Sequence, residues 1–175
     1  MRNLALSLLL ALSLITCSAQ STTIKPLEPA AIGEVNLLDS SSQTLKPLPL
    51  ESWKAKGRPG WRTATGSIEI SGERSAFRVS ASEKLEFVFK TGTPEAVKLY
   101  VFVQKKGSRS SDLVKIKAGW TQERDYTPGI PVEITKFGES SYKLVPKSPL
   151  APGEYGIDLS GGIFTFGVDT PPAIP

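Results

Sequence analysis

The chain has 175 residues and a formal charge of +4, with 39% apolar residues, 15 Gly, 14 Pro, one Cys and no His. That length suffices for one domain with a core, or one domain plus a short appendage, and the share of turn-forming residues suits an all-β chain. The lack of histidine excludes Ser-His-Asp and Cys-His nucleophilic catalysis and His-ligated zinc, non-haem iron and haem, while the lone cysteine excludes an intrachain disulfide and iron–sulfur clusters. Neither a glycine-rich phosphate loop nor an EF-hand-like acidic run occurs, so no cofactor or metal is expected.

The first residues read as an export leader. Met1-Arg2-Asn3 is basic, Leu4 to Ile15 is apolar, and Thr16 to Ala19 are small, a three-part pattern too short to span a bilayer stably. Residues 1–19 are expected to be a signal peptide cleaved after Ala19, leaving a periplasmic or secreted protein. The alternative is an outer-envelope lipoprotein lipidated at Cys17, although Thr16 departs from the Gly, Ala or Ser usual before such a cysteine. No second apolar run has membrane length, so the rest is expected not to be transmembrane.

Residues 20–33 are rich in Ser, Thr, Pro and Ala and predict a flexible tether. Glu34 to Leu38 predicts a short strand, Asp39 to Gln43 a turn, and Thr44 onward a second strand that Pro47 and Pro49 confine to an edge. This is a small N-terminal β-hairpin extension. Residues 51–66 read as an irregular loop in which Trp53 and Trp61 flank Lys54, Lys56 and Arg58, with Arg62 just after.

The segment 67–169 predicts the sandwich domain. Ile68 and Ile70 alternate with polar residues, as do Phe77 and Val79, and Leu85, Phe87 and Phe89 share a face. Val97 to Gln104 is apolar on both faces, which predicts a central strand covered on both sides. Lys105 to Ser108 is a turn, Leu113 to Lys117 a strand, and residues 118–131, with Trp120 and Tyr126, a long connection. Val132 to Phe137 and Tyr142 to Val145 form a hairpin around Gly138-Glu139; Tyr155, Ile157 and Leu159 alternate; Gly161-Gly162 turns into a last strand over Ile163 to Val168. Residues 170–175 form a tail, and no helix of useful length is apparent.

About eight to ten short strands without intervening helices predict an antiparallel all-β sandwich or barrel. Pro152-Gly153-Glu154-Tyr155 favours an immunoglobulin-like sandwich, because it puts Tyr155 where a tyrosine corner bonds back to nearby backbone.

Lys105-Lys106-Gly107-Ser108-Arg109, Phe137 to Lys143, Pro149 to Gly156, and Phe164-Thr-Phe-Gly-Val-Asp169, together with Leu37 to Ser40, carry a resemblance. The chain resembles a group of exported bacterial proteins of uncharacterised activity that share a leader, a C-terminal Pro-Gly-Glu-Tyr and a following Phe-Gly-Val-Asp. The resemblance covers most of residues 34–169. It implies export and an immunoglobulin-like fold; it implies no activity and no functional residues.

Three functional expectations follow. The first is a non-catalytic binding or interaction module of the periplasm or cell surface, in which Trp53, Lys54, Lys56, Arg58, Trp61 and Arg62 contact an anionic glycan, a lipid headgroup or an acidic envelope protein. The second is a carboxylate-dependent hydrolase of envelope polysaccharide, with Glu123 and Asp125 beside Trp120 and Tyr126 as first suspects among the acids Glu69, Glu73, Glu86, Glu139, Glu154 and Asp158. The third is an accessory subunit of an envelope assembly that offers a strand edge. Nucleic acid is not an expected partner, because the charge is modest and basic residues are interspersed with acids.

Overall fold

The computed structural model describes residues 27–59, 63–81, 84–117 and 123–171. The expected leader with Cys17, residues 20–26 of the tether, Trp61, Arg62, Trp120 and residues 172–175 lie outside them.

The strands are β1 (Val35–Asp39), β2 (Thr44–Pro47), β3 (Leu50–Glu51), β4 (Trp53–Arg58), β5 (Thr63–Ser71), β6 (Arg78–Ser80), β7 (Phe87–Lys90), β8 (Lys98–Lys105), β9 (Ser108–Lys117), β10 (Glu123–Tyr126), β11 (Val132–Lys136), β12 (Ser141–Pro146), β13 (Gly153–Leu159) and β14 (Gly162–Asp169). A 3-10 turn at Pro94–Ala96 leads into β8. One sheet has the order β11-β12-β7-β1-β2. The other has the order β3-β14-β13-β8-β9-β5-β4, with β10 added to β9 and β6 to β14. Every pairing is antiparallel except that of β6 with β14. The chain is thus an all-β sandwich of antiparallel sheets.

Period-two alternation fills the space between the sheets. Val35, Leu37, Phe87, Phe89 and Leu144 come from the first sheet; Leu99, Tyr155, Ile157, Leu159, Phe164, Phe166 and Val168 come from the second. Phe87 and Phe166 meet across the layers at 4.8 Å between ring centroids. Burial of these side chains drives the packing.

The N-terminal hairpin is not an extension. β1 lies between β2 and β7, and Val35, Leu37 and Leu38 are buried. The apolar residues that predicted its first strand are core residues of the first sheet. The tether also ends earlier than the composition implies: Glu28 accepts from the Ser140 hydroxyl at 3.1 Å and pairs with Lys90 at 3.5 Å, and the Gly33 amide donates to the Lys90 carbonyl.

Nor is 51–66 an irregular loop. β3 pairs with β14 at one margin of the larger sheet, β4 pairs with β5 at the other, and only Ser52 separates them. The segment Leu50–Arg58 therefore links both margins, and the sheet curls round on itself. Its inner face holds a second core of Ile68, Ile70, Tyr100, Phe102 and Ile163, with Leu113 against it. Gly156 belongs to this interior: a Cβ there would stand 2.7 Å from the Phe102 ring and 3.0 Å from Ile163.

β8 serves both cores, but not along its whole length. Leu99 faces the smaller sheet and Tyr100 and Phe102 face the interior, whereas Val101 and Val103, expected to be covered, are 50% and 62% exposed. The Tyr155 hydroxyl donates to the Ala151 carbonyl at 2.7 Å. The division into five and nine strands differs from the four and three of an immunoglobulin constant domain.

Candidate functional site: a basic outer sheet face

Strand alternation sorts the basic/aromatic segment onto two faces. Trp53 and Ala55 stand opposite Ile70 and Ile68, so they belong to the inner face. The Trp53 indole Nε1–H donates to the Gly161 carbonyl at 3.0 Å, tying the start of β4 to the β13–β14 turn. Lys54, Lys56 and Arg58 take the outer face and are exposed. The aromatic and the cations expected to share one surface are thus separated at Trp53; Trp61 and Arg62 lie outside the described residues.

The register extends this outer face. Lys54, Glu69, Ser110 and Val103 form one row across β4, β5, β9 and β8. Arg58, Thr65 and Lys115 form another across β4, β5 and β9. At about 4.8 Å between strands, Arg58 and Lys115 stand roughly 10 Å apart along that row. A groove of about 460 Å³ lies here, lined by Arg58, Val101, Val103, Lys105, Asp112 and Lys115 among others. Lys56 is ion-paired with Glu69 at 2.5 Å. Lys54, Arg58, Lys105 and Lys115 have no ion-pair partner among the described residues.

Such a face can hold an anion through charge-assisted hydrogen bonds and can cover an apolar group with its valines. Sequence reasoning missed Lys105 and Lys115, whose place beside Arg58 depends on non-local register. The face of β4 was readable in principle from Lys54-x-Lys56-x-Arg58.

The acids weighed for hydrolysis mostly serve internal bonds. Glu69 pairs with Lys56, Glu73 accepts from the Gly107 amide at 2.8 Å, and Asp158 accepts from the Gly161 amide at 3.1 Å. Glu86 lies between Lys84 and Lys143; burial works to raise its pKa, and the two lysines outweigh that and hold it below the usual carboxylate range. Glu154 is buried and accepts from the Ser75 amide at 2.7 Å and from Arg78. Glu123 and Asp125 stand on β10 opposite Lys117 and Lys115; their side chains lie outside the described residues.

A buried polar network closes one end of the curled sheet. Arg109, 1% exposed, donates to Glu51 at 2.5 Å, to Thr165 at 3.2 Å and to the Gly72 carbonyl at 3.0 Å. The Ser75 and Thr165 hydroxyls meet at 3.0 Å, which joins this group to Glu154 and Arg78. Arg78 continues it to Asp169 at 2.5 Å, and that bond raises the guanidinium pKa and lowers the carboxylate pKa. The network ties the segment 72–78 over the interior through both terminal nitrogens of Arg109, while the buried Arg109 Nε–H has no partner among the described residues.

Comparison with family models, with curated proteins and with solved structures returns no match to this chain.

Proposed function

We propose that the protein is an exported, non-catalytic binding module that takes an anionic ligand on the outer face of its curled sheet. The carrying observation is the convergence of Arg58, Lys105 and Lys115, from three different strands, on one groove beside the exposed Val101 and Val103. Export is supported by the leader pattern at 1–19 and by the resemblance to exported proteins through Pro152 to Tyr155 and Phe166 to Asp169. The non-catalytic reading is supported by the absence of histidine and by the engagement of Glu69, Glu86 and Glu154 in internal ion pairs.

Retention on immobilised dextran sulfate, compared with uncharged dextran, tests this reading. Wild type is expected to bind the sulfated polymer in a salt-dependent way. The Arg58→Glu/Lys115→Glu variant is expected to lose that retention. The charge-matched Lys98→Glu/Lys147→Glu variant, altered at exposed sites outside the groove, is expected to keep most of it. Equal losses in both variants would reduce the effect to net charge and remove the site.

A further inference from the structure

From the same face, and resting on the reading above, we infer that the ligand is the surface of an anionic phospholipid membrane, to which the outer face of the curled sheet docks. Charge complementarity is the first argument. Lys54, Arg58, Lys105 and Lys115 stand on one sheet face without ion-pair partners among the described residues, and Asp112 is the one carboxylate among the groove's described lining. These cations come from three strands of one sheet, β4, β8 and β9, and are spread over its outer face rather than gathered in a closed pocket.

The apolar component is the second argument. Val101 and Val103 are 50% and 62% exposed on the same face, beside the groove's cations. No aromatic ring lines the groove among the described residues, and Trp53, 42% exposed, stands on the opposite face of the sheet, away from these cations. Aliphatic side chains beside lysine and arginine match lipid phosphates with the glycerol and acyl region just beneath them. Cations supply attraction within a Debye length of an anionic leaflet, and apolar contact adds a term that salt does not screen.

Vesicle co-sedimentation tests the inference on the full chain without its leader. Phosphatidylcholine vesicles are compared with vesicles of equal parts phosphatidylglycerol and phosphatidylcholine, and soluble dextran sulfate is measured in parallel. Binding is expected to the anionic vesicles and not to the neutral ones. Partitioning is expected to fall roughly fivefold for each cation neutralised in the series Arg58→Gln, Lys105→Gln, Lys115→Gln. Val101→Ser/Val103→Ser is expected to remove the part of binding that survives high salt. Circular dichroism identifies variants that keep the fold, and the single Lys115→Gln change, at an exposed site, carries the test should the multiple variants unfold. Equal binding to neutral vesicles, or full binding by the neutralised series, overturns membrane docking. Binding to dextran sulfate with no binding to anionic vesicles overturns the membrane and leaves the anionic-ligand reading standing; binding to neither overturns both.

Discussion

Arg109 on β9 and Glu51 on β3 meet at 2.5 Å although β14, β13 and β8 lie between their strands in the sheet order. A flat sheet would hold them several strand widths apart. Their contact records the closure of the larger sheet, and Trp53 bonding to Gly161 records it a second time. Strand alternation divides the β4 side chains, all of them exposed, between the face shared with Ile68 and Ile70 and the opposite face, which carries Lys54, Lys56 and Arg58.

Arg109→Leu should be strongly destabilising, because it leaves Glu51 and Thr165 without their cation inside the curl. Breaking a buried ion pair from one side costs about 3–5 kcal/mol, and the lower end applies here because Glu51 keeps some exposure. Urea unfolding followed by tryptophan fluorescence measures this. A loss below about 1 kcal/mol, the size of a surface pair, would mean that the pair does not hold the sheet closed.

Gly156→Ala should cost about 1–3 kcal/mol through overpacking, since its Cβ would press on Phe102 and Ile163. Phe102→Leu in the same chain should recover part of that loss. Additive losses in the double variant would show that the two positions do not share the inner core.

The Tyr155→Phe variant removes the hydroxyl bond to Ala151 and nothing of the ring contact with Phe166. A destabilisation of about 0.5–1.5 kcal/mol is expected. No change in thermal unfolding would show that the turn at Pro152-Gly153 does not depend on this bond.

Attachment of the segment before β1 should weaken in acid. Burial works to raise the Glu28 pKa, but hydrogen bonds from Ser140, Ser141 and Glu139 outweigh it and bring it from 4.5 to about 2. A depressed carboxylate pKa contributes stability that is fully present above 4.5 and is lost as pH falls toward and through about 2. Protection of the Gly33 and Ser140 amides against exchange, taken relative to the intrinsic exchange rate at each pH, should fall across that window, and Glu28→Gln should flatten the dependence. Loss of protection that begins well above pH 4.5 would assign the change to another group.

Much of the strand content was legible in the sequence. The alternation of Tyr155, Ile157 and Leu159 marks β13, and the glycine turn at 138 marks the β11–β12 hairpin. Residues 51–66 were misread because Gly57, Pro59, Gly60 and Gly66 interrupt them and the lysines supply no apolar period. Their strand character comes from pairing with β5, a tertiary contact. Val101 and Val103 were misplaced for a related reason: alternation tells which residues share a face, and not where the covering sheet ends. The grouping of Arg58 with Lys105 and Lys115 follows from register across β4, β5, β9 and β8, which no local pattern encodes.

The most direct test of the binding face is residue-resolved. In a heteronuclear NMR titration with short anionic dextran sulfate, shifts should concentrate at the amides of Arg58, Val101, Val103, Lys105 and Lys115, and Arg58→Glu/Lys115→Glu should abolish them. Shifts that cluster instead around the pocket of Lys84, Leu85 and Lys147, or that persist undiminished in that variant, would contradict binding at the outer sheet face.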